Sequence, residues 1–126
     1  MIRLRIKEIP GFLDKYDFDF LFCTFLDSFY RCKTKEEKGQ LIMEEPEKGA
    51  LKHKELALLA STAHKLAADN GVEIPQWVYD DKYFLKSPVY EFNTKNREYR
   101  AYLRETSPQE YKMRNIYYGD NVLMRV

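Results

Sequence analysis

His53 and His64 are the only histidines in the chain and the first residues to test for metal or acid–base chemistry. They stand eleven residues apart in a stretch of helical pattern. That spacing puts them on one helical face but about 16 Å apart at the rise of an α-helix, too far to share an ion. No cysteine lies at a zinc spacing from either. Cys23 and Cys32 fall nine residues apart within one expected helix and project from nearly opposite sides. A disulfide between them is geometrically implausible, and they read as packed, reduced thiols. A nucleophile pair of Cys23 or Cys32 with His64 is compatible with spacing, since such partners meet only in the fold. Nothing else in the sequence supports it.

The carboxylate pairs Glu36-Glu37, Glu44-Glu45 and Asp80-Asp81 look like solvated helix ends. Catalytic carboxylates need burial or a close like charge to shift their pKa. The five glycines form neither a P-loop nor a dinucleotide fingerprint, and all but Gly39 sit near an expected turn or element boundary. No catalytic residue, metal ligand or cofactor is assigned, and the expectation is a protein that is not an enzyme.

The chemistry that remains is recognition. From Lys95 to Arg125 run seven basic residues, Lys95, Arg97, Arg100, Arg104, Lys112, Arg114 and Arg125, against four acidic ones. Tyr99, Tyr102, Tyr111, Tyr117 and Tyr118 are interleaved with them. Arg97, Arg100 and Arg104 recur at three and four residues and form one helical stripe. Arginine with tyrosine neutralises phosphate and stacks on bases, and the same pair anchors protein interfaces. The plainest reading is a solvated face whose tyrosine rings turn into the core.

These residues need elements to hold them. With 126 residues the chain has the length of one domain, 1–126, with a core of its own. Its 44% hydrophobic and 33% charged residues fit a globular protein, and a net charge of +1 argues against a surface wholly tuned to nucleic acid. The start "MIRLRIKEIPG" lacks the apolar stretch of a signal peptide. No stretch approaches the roughly 18 apolar residues of a membrane span. A cytoplasmic location without membrane attachment is expected.

Alternation in "MIRLRIKEIP" predicts a short strand ended by Pro10-Gly11. Residues 16–32 carry Phe18, Leu21, Phe22, Phe25, Leu26, Phe29 and Cys32 on one broad helical face, with Asp17, Thr24, Asp27, Ser28 and Arg31 opposite. "TKEE" at 34–37 is a capping box opening a helix to about residue 44. Residues 50–69 form the clearest helix, with Leu51, Leu56, Leu58, Leu59 and Leu66 on one side and Lys54, Ser61 and Lys65 on the other. Asn70-Gly71 supplies its left-handed cap. The stretch after it reads as an irregular aromatic segment pinned by Trp77, with a helical turn near Asp81–Leu85. A short helix is expected over 96–105, and "SPQE" at 107–110 reads as a second capping box. A "YGDN" turn would bring "VLMRV" back beside "IRLRI" as a two-strand edge. The expectation is a mainly α, compact, single-domain helical bundle.

"FLDSFYR" (25–31), "LASTAHKLAADNGVEIPQWVYD" (59–80), "LKSPVYEF" (85–92) and "SPQEYKMRNIYYGDNVLMRV" (107–126) make the chain similar to a group of small uncharacterised bacterial proteins. Shared features are a helix ending in a glycine cap followed by Pro-x-Trp, a Ser-Pro-started helix, an Arg-Asn-Ile-Tyr step and a short apolar end. Members of that group resemble antitoxin-like partners encoded beside nucleotidyltransferase-type toxin genes, and some carry an added helix-turn-helix domain. This chain shows no such domain ahead of the resembling stretch, which makes partner binding the simpler inheritance. The resemblance therefore implies a protein-binding module acting by occlusion of a protein partner. The contacts would be Arg97, Arg100, Arg104, Arg114, Tyr117 and Tyr118. The alternative is a small nucleic-acid-binding regulator using the same face.

Overall fold

A computed structural model of the chain describes residues 3–47 and 49–124. It is mostly helical, with one small parallel sheet. Helix α1 spans Phe18–Arg31, and its start is fixed by Asp17, whose carboxylate accepts from the backbone N–H of Phe20 at 2.8 Å. That cap is why the helix begins two residues later than its aromatic pattern does. Leu21, Phe22, Phe25, Leu26 and Phe29 are buried, as their spacing demands. Ser28, expected on the solvent face, is buried too. Its hydroxyl donates to the Thr24 carbonyl at 2.9 Å and accepts from the N–H of Leu4 at 3.0 Å, so no polar group is left bare.

The expected N-terminal strand is replaced, over Ile6–Phe12, by a 3-10 helix. Leu4 and Ile6, the apolar positions of the alternation, are buried in the core, and so is Ile9, which lies out of phase with that alternation and is brought in by the 3-10 turn. A lone strand has no ladder partner. Here the N–H of Arg5 bonds instead to the Glu8 carboxylate at 2.9 Å and closes a local turn. The expected pairing of 2–6 with 122–126 reaches Ile2, Arg125 and Val126, which lie outside the described residues. Among the described ones, neither 3–6 nor 122–124 forms a strand.

Helix α2 (Lys35–Ile42) is capped by Thr34, which accepts from the Glu37 N–H at 3.1 Å. Gly39 is explained by close packing, since a Cβ there would lie 3.3 Å from Cγ1 of Val72. Helix α3 (His53–Asn70) ends at Gly71 with φ +65°, in the left-handed cap. It is more enclosed than its leucines imply. Ala57, Leu59, Ala60, Ala63, Leu66 and Ala67 are buried, and so are Ser61 and Thr62, while Leu56 and Leu58 are only half-buried. Ser61 escapes the expected solvent face by donating to the Ala57 carbonyl at 2.8 Å. The small side chains let the 3-10 turns Gln76–Tyr79 and Asp81–Tyr83 and the short helix α5 (Gln109–Lys112) close against the same helix.

The aromatic segment is pinned as its single tryptophan suggests. Trp77 donates its indole N–H to the Ile42 carbonyl at 2.9 Å and meets Tyr83 edge-on at 5.1 Å. Tyr83 is buried, and its hydroxyl donates to Glu45 at 2.8 Å. The sheet pairs β1 (Val89–Tyr90) with β2 (Ile116–Tyr117) in parallel, Val89 beside Ile116 and Tyr90 beside Tyr117. Between them lies helix α4 (Arg97–Thr106), capped by Asn96, which accepts from the Tyr99 N–H at 2.8 Å. "SPQE" does not build the expected capping box. Ser107 is buried, with Oγ 2.6 Å from the carbonyl oxygens of both Leu103 and Tyr118, one hydroxyl proton serving two acceptors.

Candidate interaction surface

The parallel register sets Tyr90 and Tyr117 side by side, and their rings stack with centroids 5.1 Å apart. Helix α4 adds its arginines to the same ring. The Arg100 guanidinium lies 4.5 Å from the Tyr90 centroid, while its Nε donates to the Thr94 carbonyl at 2.8 Å. Arg104 donates to the Tyr90 hydroxyl at 2.9 Å. Three of the expected contact residues, Arg100, Arg104 and Tyr117, are thus gathered by a fourth, Tyr90, that composition did not single out. Arg97, one turn earlier on the helix, is exposed and makes no side-chain bond among the described residues.

The chain between β1 and α4 carries an unusual residue. Phe92 has φ +57° and Asn93 φ +53°. Asparagine tolerates that left-handed region, but a bulky aromatic pays about 1–2 kcal/mol for it. Phe92 is 85% exposed, so burial returns almost nothing. An apolar ring displayed to water from a left-handed backbone is the outlier of this surface. Sequence reasoning passed over this pair; Asn93 is the one local signal that could have marked it, since asparagine tolerates the left-handed region.

Phe92 separates two clefts. One, of about 400 Å³, has Lys52, Lys54, Asp19, Tyr90 and Tyr118 among its walls. The other, of about 380 Å³, is walled by Tyr99 and Tyr102 and carries Glu91 and Asp120. Tyr99 and Tyr102 stack at 6.2 Å, and the Tyr99 hydroxyl donates to Glu91 at 2.9 Å, a bond that raises the Tyr99 phenol above its ordinary pKa. Tyr118 serves as wall more than as displayed contact. It is half-buried against the core, and burial pushes its phenol upward.

Arg114, expected on the same face, is a correction: its side chain is 0% exposed. Its guanidinium donates to the carbonyls of Val78 at 2.7 Å and Glu110 at 2.8 Å, and lies 4.8 Å from the centroid of Phe84. Nη1 also stands 3.3 Å from Nδ1 of His64, which must accept and is therefore neutral there. Nε has no hydrogen-bond partner, and no carboxylate lies in ion-pair range among the described residues. Burial lowers the Arg114 pKa to about 10, still charged at neutral pH. Burial first, and the Arg114 charge second, lower the pKa of His64.

The other candidates for chemistry are spent on structure. His53 bonds to the Lys82 carbonyl at 2.8 Å, and the Cys32 thiol donates to the Ser28 carbonyl at 3.4 Å. Among the described residues no three His, Cys, Asp or Glu side chains group to hold a metal ion, and no helix is long and apolar enough to cross a membrane. Comparison with known proteins yields no relative: no family model, no curated protein and no solved structure matches the chain.

Proposed function

We propose that the chain is a non-enzymatic protein-binding module, an antitoxin-like partner that occludes a neighbouring protein with the Phe92–α4 surface. The observation that carries this reading is Phe92, held in a left-handed backbone and exposed between the Arg100–Arg104–Tyr90 cluster and the Tyr99–Tyr102 pair. Aromatic and arginine side chains fixed before binding lose little entropy on docking and dominate interface energies. Charge supports a protein over a nucleic acid. Residues 91–106 contain four basic side chains (Lys95, Arg97, Arg100, Arg104) and three acidic ones (Glu91, Glu98, Glu105). Phosphate binding draws its affinity from unopposed cations.

The test is co-expression with the protein encoded beside this chain. A complex that persists at about 0.5 M salt, where charge attraction is screened, is expected. Phe92→Ala should weaken it by about 30-fold or more, the loss of one central anchor. No complex, or a complex indifferent to Phe92→Ala, overturns the reading. Salt-sensitive retention of oligonucleotides that falls with Arg97→Ala and Arg100→Ala would replace it with the nucleic-acid alternative.

A further inference from the structure

The two clefts beside Phe92 differ in charge, and the second has a definite chemistry. Its walls are the rings of Phe92, Tyr99 and Tyr102, and its charged groups are Glu91 and Asp120, with no lysine or arginine in the lining. Neither carboxylate takes part in an ion pair among the described residues. Glu91 spends Oε1 on the Tyr99 hydroxyl, which fixes the carboxylate and leaves its other oxygen for a ligand.

Gly119 is buried and belongs to the same lining. Its φ is not in the left-handed region, so the backbone does not require it. A Cβ there would instead stand 3.0 Å from Oδ1 of Asn121 and 3.4 Å from Oε1 of Glu91, crowding the oxygens that face the cleft. Three aromatic rings and two carboxylates, one of them held by the Tyr99 hydroxyl, line one cleft of about 380 Å³. A cation satisfies both, and an organic one with flat or methylene surface suits the rings better than a bare metal ion.

We propose that this cleft receives a cationic side chain, arginine or lysine, of the partner protein, seated beside Phe92. This rests on the interface reading above and adds the partner's chemistry to it: a basic residue next to the pocket that takes the Phe92 ring.

The test uses the full chain and blocked amino-acid amides, followed by NMR of the aromatic ring resonances. N-acetyl-arginine amide and N-acetyl-lysine amide should shift the rings of Phe92, Tyr99 and Tyr102, with dissociation constants on the order of 10 mM. N-acetyl-glutamine amide and N-acetyl-glutamate amide should not. Glu91→Gln combined with Asp120→Asn keeps the acceptor for Tyr99 but removes both charges, and should reduce the shift at a fixed probe concentration about fivefold. Should the double variant lose its ring dispersion, Asp120→Asn alone, at an exposed position, should still reduce the shift by about half. No shift up to about 50 mM probe, equal shifts from the glutamine amide, or shifts unchanged by removing the charges each overturn the proposal. The outcome is separable from the interface reading. Phe92-dependent capture of the neighbouring protein stands without cation binding, and cation binding is measured without any protein partner.

Discussion

Two regions of the C-terminal third are nearly alike in composition and opposite in use. Residues 97–104 and 111–118 each mix arginine, tyrosine and an aliphatic anchor. In the first, only Leu103 is buried, and Arg97 and Arg104 lie in solvent. In the second, Tyr111, Arg114 and Ile116 are all enclosed. Tyr111 shows what enclosure requires. The Thr62 hydroxyl already donates to the Leu58 carbonyl at 2.8 Å, so the Tyr111 hydroxyl donates to Thr62, also at 2.8 Å. Burial pushes the Tyr111 phenol far up and keeps it protonated. An arginine's role is therefore set by which carbonyls its neighbours leave unpaired, not by its spacing from other arginines.

The sharpest way to break this contrast is at Arg114. Arg114→Ala removes a fully buried side chain and strips the Val78 and Glu110 carbonyls of their donor. A loss of about 3–5 kcal/mol in chemical denaturation is expected, combining cavity and unsatisfied-group costs. A loss below about 1 kcal/mol would mean the site relaxes or hydrates freely.

A smaller effect is expected from acid. His64 faces Arg114, Glu110 and Tyr79, and its pKa in the folded protein lies below the ordinary value of 6.5. Below that ordinary value the unfolded chain binds more protons at this site than the folded one does. The stability contribution is thus complete above about pH 6.5, declines as pH falls through the interval between the unfolded and folded values, and then levels off. His64→Gln cannot titrate and should flatten the denaturation midpoint between about pH 7 and pH 5, above the range where carboxylates protonate. A variant that keeps the wild-type slope would assign the decline to other groups.

Smallest of all should be Arg104→Ala. Its bond to the Tyr90 hydroxyl is exposed, and thermal or chemical denaturation should move by less than about 0.5 kcal/mol. A larger loss would move α4 from display to structure and erase the contrast.

What was legible in the sequence was local. Thr34 binds the backbone N–H three residues on and Gly71 takes the left-handed conformation that ends its helix, both as expected, whereas Asp17 and Asn96 cap their helices in the same way without having been singled out. Such signals lie within a turn of the residue that carries them. Ser28 and Ser61 were misplaced because a serine satisfied by the carbonyl four residues back costs little to bury, which no periodicity reveals. Arg114 and Phe92 were opaque for a longer-range reason. One depends on the carbonyl of Val78, 36 residues earlier in the chain, and the other lies within a segment closed by strands paired between 89–90 and 116–117. Residues 114–116, which include the expected contact Arg114, are structural in use. Arg114 is buried, Asn115 sits at φ +64° with its amide donating to the Leu85 carbonyl at 2.7 Å, and Ile116 is buried.

Because β1 and β2 run parallel, the chain between them cannot turn back directly and must cross over, and α4 rides in that crossover. The strands meet only after a loop of about 25 residues has closed, an entropy cost that falls before any strand contact repays it. Helix α4 and the left-handed Phe92 both lie inside that loop, so their placement is fixed by the pairing of the two strands rather than by their own local sequence.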